Sequence, residues 1–176
     1  LRERGVDRLN VAAHYHSVQA LQPRAADSLF DPFPAGAYFE PDPERFAETP
    51  IEPLQNELSV DDPLATLVDA GAETGMAISG WLILFHNSRL GHEYPQFQLE
   101  DCFGEGHEHA FCPSHPEIKR YFAAAAGALV DRGVDEVQLE SYGFQNVLHS
   151  HDTQFGHGME HALTSQAERV LLSQCF

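Results

Sequence analysis

Asp135-Glu-Val-Gln-Leu-Glu-Ser-Tyr-Gly-Phe-Gln-Asn-Val-Leu-His-Ser-His151 is the stretch on which the fold reading turns. A short, mostly apolar run, Val137 to Leu139, ends on one carboxylate, Glu140. An aromatic-rich turn and two histidines, His149 and His151, follow at once. In a parallel α/β sheet the loops that leave the carboxyl ends of the strands converge over one face, and ligands sit there. An acid at such an end costs desolvation energy that packing alone does not return. Glu140 is therefore the first candidate for chemistry; the competing reading is a strand end whose acid caps the next turn.

Working outward, two more runs have the same character. Residues 8–13 (Arg-Leu-Asn-Val-Ala-Ala) follow a Gly5-Val6-Asp7 turn, and residues 76–85 form a near-continuous apolar run of the kind buried on both faces of a sheet. The third strand covers residues 136–140. Arg-Gly-Val-Asp occurs twice, at residues 4–7 and 132–135, and each time reads as a helix end, a glycine stop and entry into a strand.

Helices are expected between the strands. Asp61-Asp62-Pro63 offers a capping aspartate and a first-turn proline, with the helix running to about Ala72 before Gly75. Ser114-His-Pro-Glu117 has the spacing of a capping box. Beyond it Ile118, Phe122, Ala125 and Leu129 recur at helical spacing up to the stop at Gly133. A third helix is expected over residues 159–173.

Strand and helix alternating in this order predict an α/β fold with parallel strands and right-handed crossovers. The fold expected is a single domain over residues 1–176, a partial (β/α) barrel of about three βα units. An aromatic and proline-rich insertion at about residues 22–58, with Phe30, Phe33, Tyr38, Phe39 and Phe46, follows the first strand. Such an insertion is either a functional loop over a site or a surface excursion with its own small core.

The charge balance is lopsided: 27 acidic against 10 basic residues, net −17, with Lys119 the one lysine. Such a field repels nucleic acid and anionic membranes and points instead to a small-molecule or carbohydrate partner. An acidic surface nearly free of lysine fits a salt-adapted, cytoplasmic setting, where charges are screened within a few ångströms. The longest apolar run, Trp81 to Phe85, is far too short to cross a bilayer. Three cysteines, Cys102, Cys112 and Cys175, lack close pairing, so a disulfide framework is not expected. Starting at Leu1 and stopping on a helix-like Cys175-Phe176, the chain reads as a fragment, its partner being the rest of a barrel or a second copy.

The three strand ends deliver a coherent set of side chains: His14-Tyr15-His16 at the first, His86-Asn87-Ser88-Arg89 at the second, and Glu140, Tyr142, Phe144, His149 and His151 at the third. Barrel enzymes assemble sites in this way. Trp81 and Tyr142 suit stacking on a sugar ring, while His16, His86, Asn87 and His149 suit hydrogen bonds to hydroxyls. Glycoside hydrolysis needs a pair of carboxylates, with Glu140 the natural first and Asp101, Glu93, Glu40 or Asp152 as loop candidates for the second. That chemistry needs no cofactor. The alternative is a zinc hydrolase in which His14-x-His16 ends the first strand, with Glu140, His149 or His151 completing the metal sphere. A third reading is a sugar-binding or inactive module. His107-Glu108-His109 matches no zinc spacing well and reads as a solvated loop; His115 and His161 read as structural or surface groups, and Cys112 as a small buried residue.

The chain resembles a family of uncharacterised bacterial and archaeal proteins described as glycoside-hydrolase-like (β/α)8 barrels. The resemblance rests on Ala-Ala-His-Tyr-His-Ser and Leu-Gln-Pro within residues 12–23, Ala37-Tyr-Phe-Glu-Pro41, and Gly80-Trp-Leu-Ile-Leu-Phe-His-Asn-Ser-Arg-Leu-Gly91. Phe111-Cys-Pro-Ser114, Val137-Gln-Leu-Glu-Ser-Tyr-Gly-Phe144 and the closing Leu-Leu-Ser-Gln-Cys-Phe176 complete it. Similar proteins run on well beyond this point, which implies that the chain covers the amino-terminal half of such a barrel. The resemblance further implies that Glu140 is the catalytic or substrate-contacting carboxylate and that His16, Trp81, His86, Asn87, His149 and His151 line the pocket. The chain departs from the family at Leu148-His-Ser-His-Asp152, where relatives are richer in histidine and glycine.

Overall fold

The structure, a computed structural model, describes residues 1–21, 30–56, 60–101 and 103–144. In chain order the elements are a 3-10 turn (Arg2–Arg4), β1 (Arg8–Tyr15), β2 (Val18–Leu21), β3 (Phe30–Phe33), β4 (Gly36–Ala37) and α1 (Pro63–Thr74). Then follow β5 (Ala77–Ile83), α2 (Ser88–Glu93), a second 3-10 turn (Pro95–Phe97), β6 (Gln98–Glu100), β7 (Gly106–Phe111), α3 (Pro116–Asp131) and β8 (Glu136–Glu140). The expected third helix, together with His149, His151, His161, Asp152, Cys102 and Cys175, lies outside the described residues.

The fold is α/β. A four-stranded sheet has the order β4-β1-β5-β8, with β1, β5 and β8 parallel and β4 antiparallel to β1. Among the described residues the sheet does not close on itself: β4 and β8 are its edges, and two antiparallel hairpins, β2/β3 and β6/β7, stand apart from it.

Helices α1 and α3 form the crossovers, as the alternating pattern predicts. Asp62 caps α1, its side chain accepting from the Ala65 amide, with Pro63 in the first turn and Gly75 at the end. Burial pushes the Asp62 carboxyl up, but the Arg132 guanidinium and the Ala65 and Glu40 amides outweigh it and hold the group below its usual range. The capping box before α3 does not form; His115 occupies the cap position and makes no side-chain cap bond. Pro116 at the first helical position already removes one amide that would need a partner, so the helix starts without the serine. The two Arg-Gly-Val-Asp repeats behave alike: Gly5 and Gly133 both stop a turn at φ 80°, in the left-handed region. The second repeat goes on to fix β8, since Asp135 accepts the Ile78 amide through its side chain (2.8 Å) and donates its own amide to Ile78 (2.8 Å).

One face of the sheet packs on the helices. Ile118, Tyr121, Phe122, Ala125, Ala128 and Leu129 of α3 are buried with Ile78 and Leu82 of β5 and Leu64 of α1. Each such side chain contributes about 1.5–3 kcal/mol when fully buried. Register places the polar residues on the other face: Arg8 reaches Ser79 (2.9 Å) and Glu136, and Asn10 bonds Gln138 across β5. Register between β1 and β5 shifts by one residue between Ala12 and His14. Ala12 pairs with Trp81, and His14, two residues later, pairs with Leu82, so His14 shares the helix-packed face with Leu82.

The insertion contains described structure of its own. Its β3 pairs with β2, which immediately precedes the insertion, and its β4 pairs with the end of β1 through His14 and Tyr15. Residues 54–56 run alongside β4, with Ala37 N donating to Leu54 O (2.8 Å) and Asn56 N to Ala37 O (3.0 Å). Among the described residues no helix is long and apolar enough to cross a membrane.

Candidate active site

Glu140 ends β8 opposite Ile83 of β5, and the next residue, Ser141, takes a positive φ of 54°. A non-glycine residue in the left-handed region is uncommon and is concentrated at functional turns. Leu84 and Phe85 donate their amides to the Glu140 and Ser141 carbonyls (2.9 and 3.1 Å), so the loop after β5 is tied to the end of β8.

Tyr15 is the group that gathers the strand ends. Its phenol is pushed above its ordinary value by burial and then by the charge of Glu140. The Tyr15 hydroxyl therefore keeps its proton beside the carboxylate. The Tyr15 ring stacks on His16 (4.4 Å) and stands edge-on to Trp81 (5.0 Å). His16 in turn lies 4.8 Å from His86, ring centre to ring centre. Tyr15, His16 and His86 thus form a run of ring contacts past the ends of β1 and β5, with Trp81 against Tyr15 and the charge of Glu140, at the end of β8, felt by Tyr15; His86 itself is buried. His16 Nδ1 is 2.7 Å from the Ser17 carbonyl, which fixes the ring.

The remaining expected site residues fall elsewhere. Asn87 is buried and caps α2, its Oδ1 accepting from the Leu90 amide (3.0 Å). That oxygen is spent on the helix, and the Nδ2 is left buried with no hydrogen-bond partner among the described residues. Tyr142 is 74% exposed beyond the strand end. Of the loop acids, Asp101 closes a hairpin turn by accepting from the Phe103 and Glu105 amides (2.8 and 3.1 Å). Glu40 and Glu93 are exposed.

His14 does not join His16. It is 1% exposed, with Nδ1 3.3 Å from the Ile83 carbonyl and Nε2 2.9 Å from the Tyr121 hydroxyl. The register shift before it turns the ring onto the helix side, where Tyr121 and Phe122 meet it edge-on. With both ring nitrogens engaged there, His14 is not available to the first-strand zinc arrangement. Among the described residues no group of three His, Cys, Asp or Glu side chains is arranged to hold a metal ion.

His107-Glu108-His109 is a strand rather than a solvated loop. β7 carries both rings inward, and both are buried. The hairpin pairs with the loop after β5: Asn87 donates to the His109 carbonyl (3.1 Å) and Phe111 to the Phe85 carbonyl (3.1 Å). His109 stands edge-on to His86 at 6.1 Å. The signal was present in the sequence as a two-residue alternation, His107, His109, Phe111, running into an apolar end; the charge of the alternate residues masked it.

No protein-family model matches the chain, and no curated protein matches it. A solved structure described as a hypothetical protein from Ruminiclostridium thermocellum ATCC 27405 is similar at 18% identity, with a TM-score of 0.45. The match covers 50% of this chain and 49% of that one, so the chain spans about half the length of this relative.

A cavity of about 570 Å³ lies in the insertion, among Pro41, Phe46, Pro50, Ile51 and Pro53. Thr49, Glu52 and Gln55 also line it but none of the strand-end groups does, so the cavity is separate from the candidate site.

Proposed function

We propose that the chain carries part of a carbohydrate-cleaving site, on a sheet that forms part of a (β/α) barrel, with Glu140 as general acid or nucleophile. The observation that carries this reading is the gathering of Glu140, Tyr15, His16 and His86 at three parallel strand ends. In that role Glu140 protonates the leaving glycosidic oxygen or attacks the anomeric carbon. Tyr15, held protonated, is a hydrogen-bond donor at the same place. His16, backed by the buried His86, holds a sugar hydroxyl. Trp81 stands edge-on to Tyr15 and supports its ring. Net charge −17 favours a neutral carbohydrate over a polyanion such as nucleic acid.

Glu140→Gln keeps the shape and removes the proton-transferring and nucleophilic chemistry. On a panel of oligosaccharides its turnover is expected to fall by about 10²–10⁴-fold, with the melting temperature close to that of the wild type. Turnover retained in that variant overturns the assignment.

A further inference from the structure

The cavity in the insertion has the size of a ligand site and no part in the proposed hydrolysis. Its volume, about 570 Å³, falls inside the range of roughly 300–1,000 Å³ typical of small-molecule pockets. Four of its lining residues are prolines, Pro41, Pro43, Pro50 and Pro53, whose rings fix the backbone angle φ. Hydrogen bonds hold the same loop in place. Thr49 Oγ1 accepts the Ile51 amide (3.2 Å) and donates to the Glu117 carbonyl of α3 (3.5 Å). The Glu52 amide donates to the Tyr94 hydroxyl (2.9 Å). The walls are therefore set in advance, and a ligand does not have to order them.

The walls are chemically one-sided. Phe46 and Ile51 are buried and supply apolar surface. The Thr49 hydroxyl is engaged in the two bonds above. Gln55 donates its amide nitrogen to the Asp61 carbonyl (2.9 Å), which leaves its side-chain oxygen as an acceptor. Among the described residues the Glu52 carboxylate has no hydrogen bond or ion pair, and no basic side chain lines the cavity. Residues 40–52 carry five acids against one base, Arg45, and that base pairs with Asp131 of α3. Apolar surface beside acceptors and uncompensated negative charge fits a ligand that is apolar in body and a cationic donor at one end.

We propose that the cavity binds a small primary amine, its aliphatic or aromatic body on Phe46 and Ile51 and its ammonium on the Glu52 carboxylate. An ammonium offers three N–H donors and no acceptor, the complement of the groups that Glu52 and Gln55 leave open. The site stands apart from the strand-end residues and does not depend on the carbohydrate reading.

Phenethylamine is the probe and phenylacetate its counterpart, alike in the ring and opposite in charge. Each is titrated into the full chain at low salt, and the Ile51 methyl and Phe46 ring signals are followed by NMR. The amine is expected to shift them and phenylacetate to leave them in place. Net charge −17 attracts every cation, so the local carboxylate has to be separated from the overall field. Glu52→Gln and Glu48→Gln each remove one charge from the same loop, but Glu48 does not line the cavity. Glu52→Gln is expected to weaken amine binding about two- to fivefold, the range of an exposed ion pair, and Glu48→Gln to leave it unchanged. Ala47 is an exposed residue of the cavity wall, so Ala47→Phe fills the space and is expected to abolish the shifts. Unmoved signals at millimolar amine, equal binding of phenylacetate, or equal effects of the two glutamine variants overturn the proposal. Shifts that fade as protein concentration rises assign the cavity to a second copy of the chain and overturn it as well.

Discussion

His14 carries two hydrogen bonds that dictate where its proton sits. The Ile83 carbonyl can only accept, so Nδ1 is the protonated nitrogen and Nε2 accepts from the Tyr121 hydroxyl. Burial lowers the His14 pKa from 6.5 to about 4, so the folded ring is neutral where an unfolded one would take up a proton. The stability this contributes is complete above pH 6.5 and is lost as pH falls toward 4, because the unfolded chain binds the extra proton across that range. The full effect is on the order of 3 kcal/mol. Denaturant midpoints measured at about pH 7.5 and about pH 4.5 are expected to show this decline in the wild type, and a His14→Gln variant to show less of it. Tyr121→Phe leaves the Nε2 acceptor buried and unmet, at a cost of about 1–3 kcal/mol near neutral pH. A variant as stable as the wild type would mean that the bond contributes nothing.

Among the elements, the three parallel strands and both crossover helices were readable because their apolar periods, capping residues and glycine stops all point the same way. The third strand matches residue for residue, whereas β1 runs two residues past its expected end and β5 is shorter at both ends than its apolar run. That difference has a cause: Leu84 and Phe85 are buried by the loop and by the Phe111 contact rather than by strand pairing with β1. The β6/β7 hairpin was not readable as a unit, since its pairing partner is a loop 20 residues or more away in sequence and no local period encodes that seam. Tyr15 and Glu140 could be placed at strand ends from sequence, but their mutual approach depends on register. The seam itself can be tested at α2. Gly91→Ala must displace the Glu108 backbone, and is expected to cost about 1–3 kcal/mol in denaturant unfolding. Little or no loss would show that β7 is not pressed against α2.

At the scale of the molecule, charge dominates. Among the described residues five of the ten basic side chains are already paired: Arg2 with Asp7, Arg8 with Glu136, Arg45 with Asp131, Arg120 with Glu117 and Arg132 with Asp62. Most of these pairs are exposed and individually contribute little. The uncompensated acids repel one another, and that repulsion opposes compactness. Raising salt to about 1 M shortens the screening length to about 3 Å, so the melting temperature is expected to climb with salt concentration. A flat or falling curve would remove the argument for a salt-adapted chain. The net charge is read from composition at once, while the register shift in β1 leaves no mark there.

The additional residue at Ala13 reverses the parity of β1 part-way along its length. Histidines two apart would ordinarily be companions on one surface of a strand. Here β1 ends at Tyr15, so His16 leaves the alternation that turns His14 toward Tyr121, and a familiar-looking spacing yields one imidazole for the scaffold and another for the doorway.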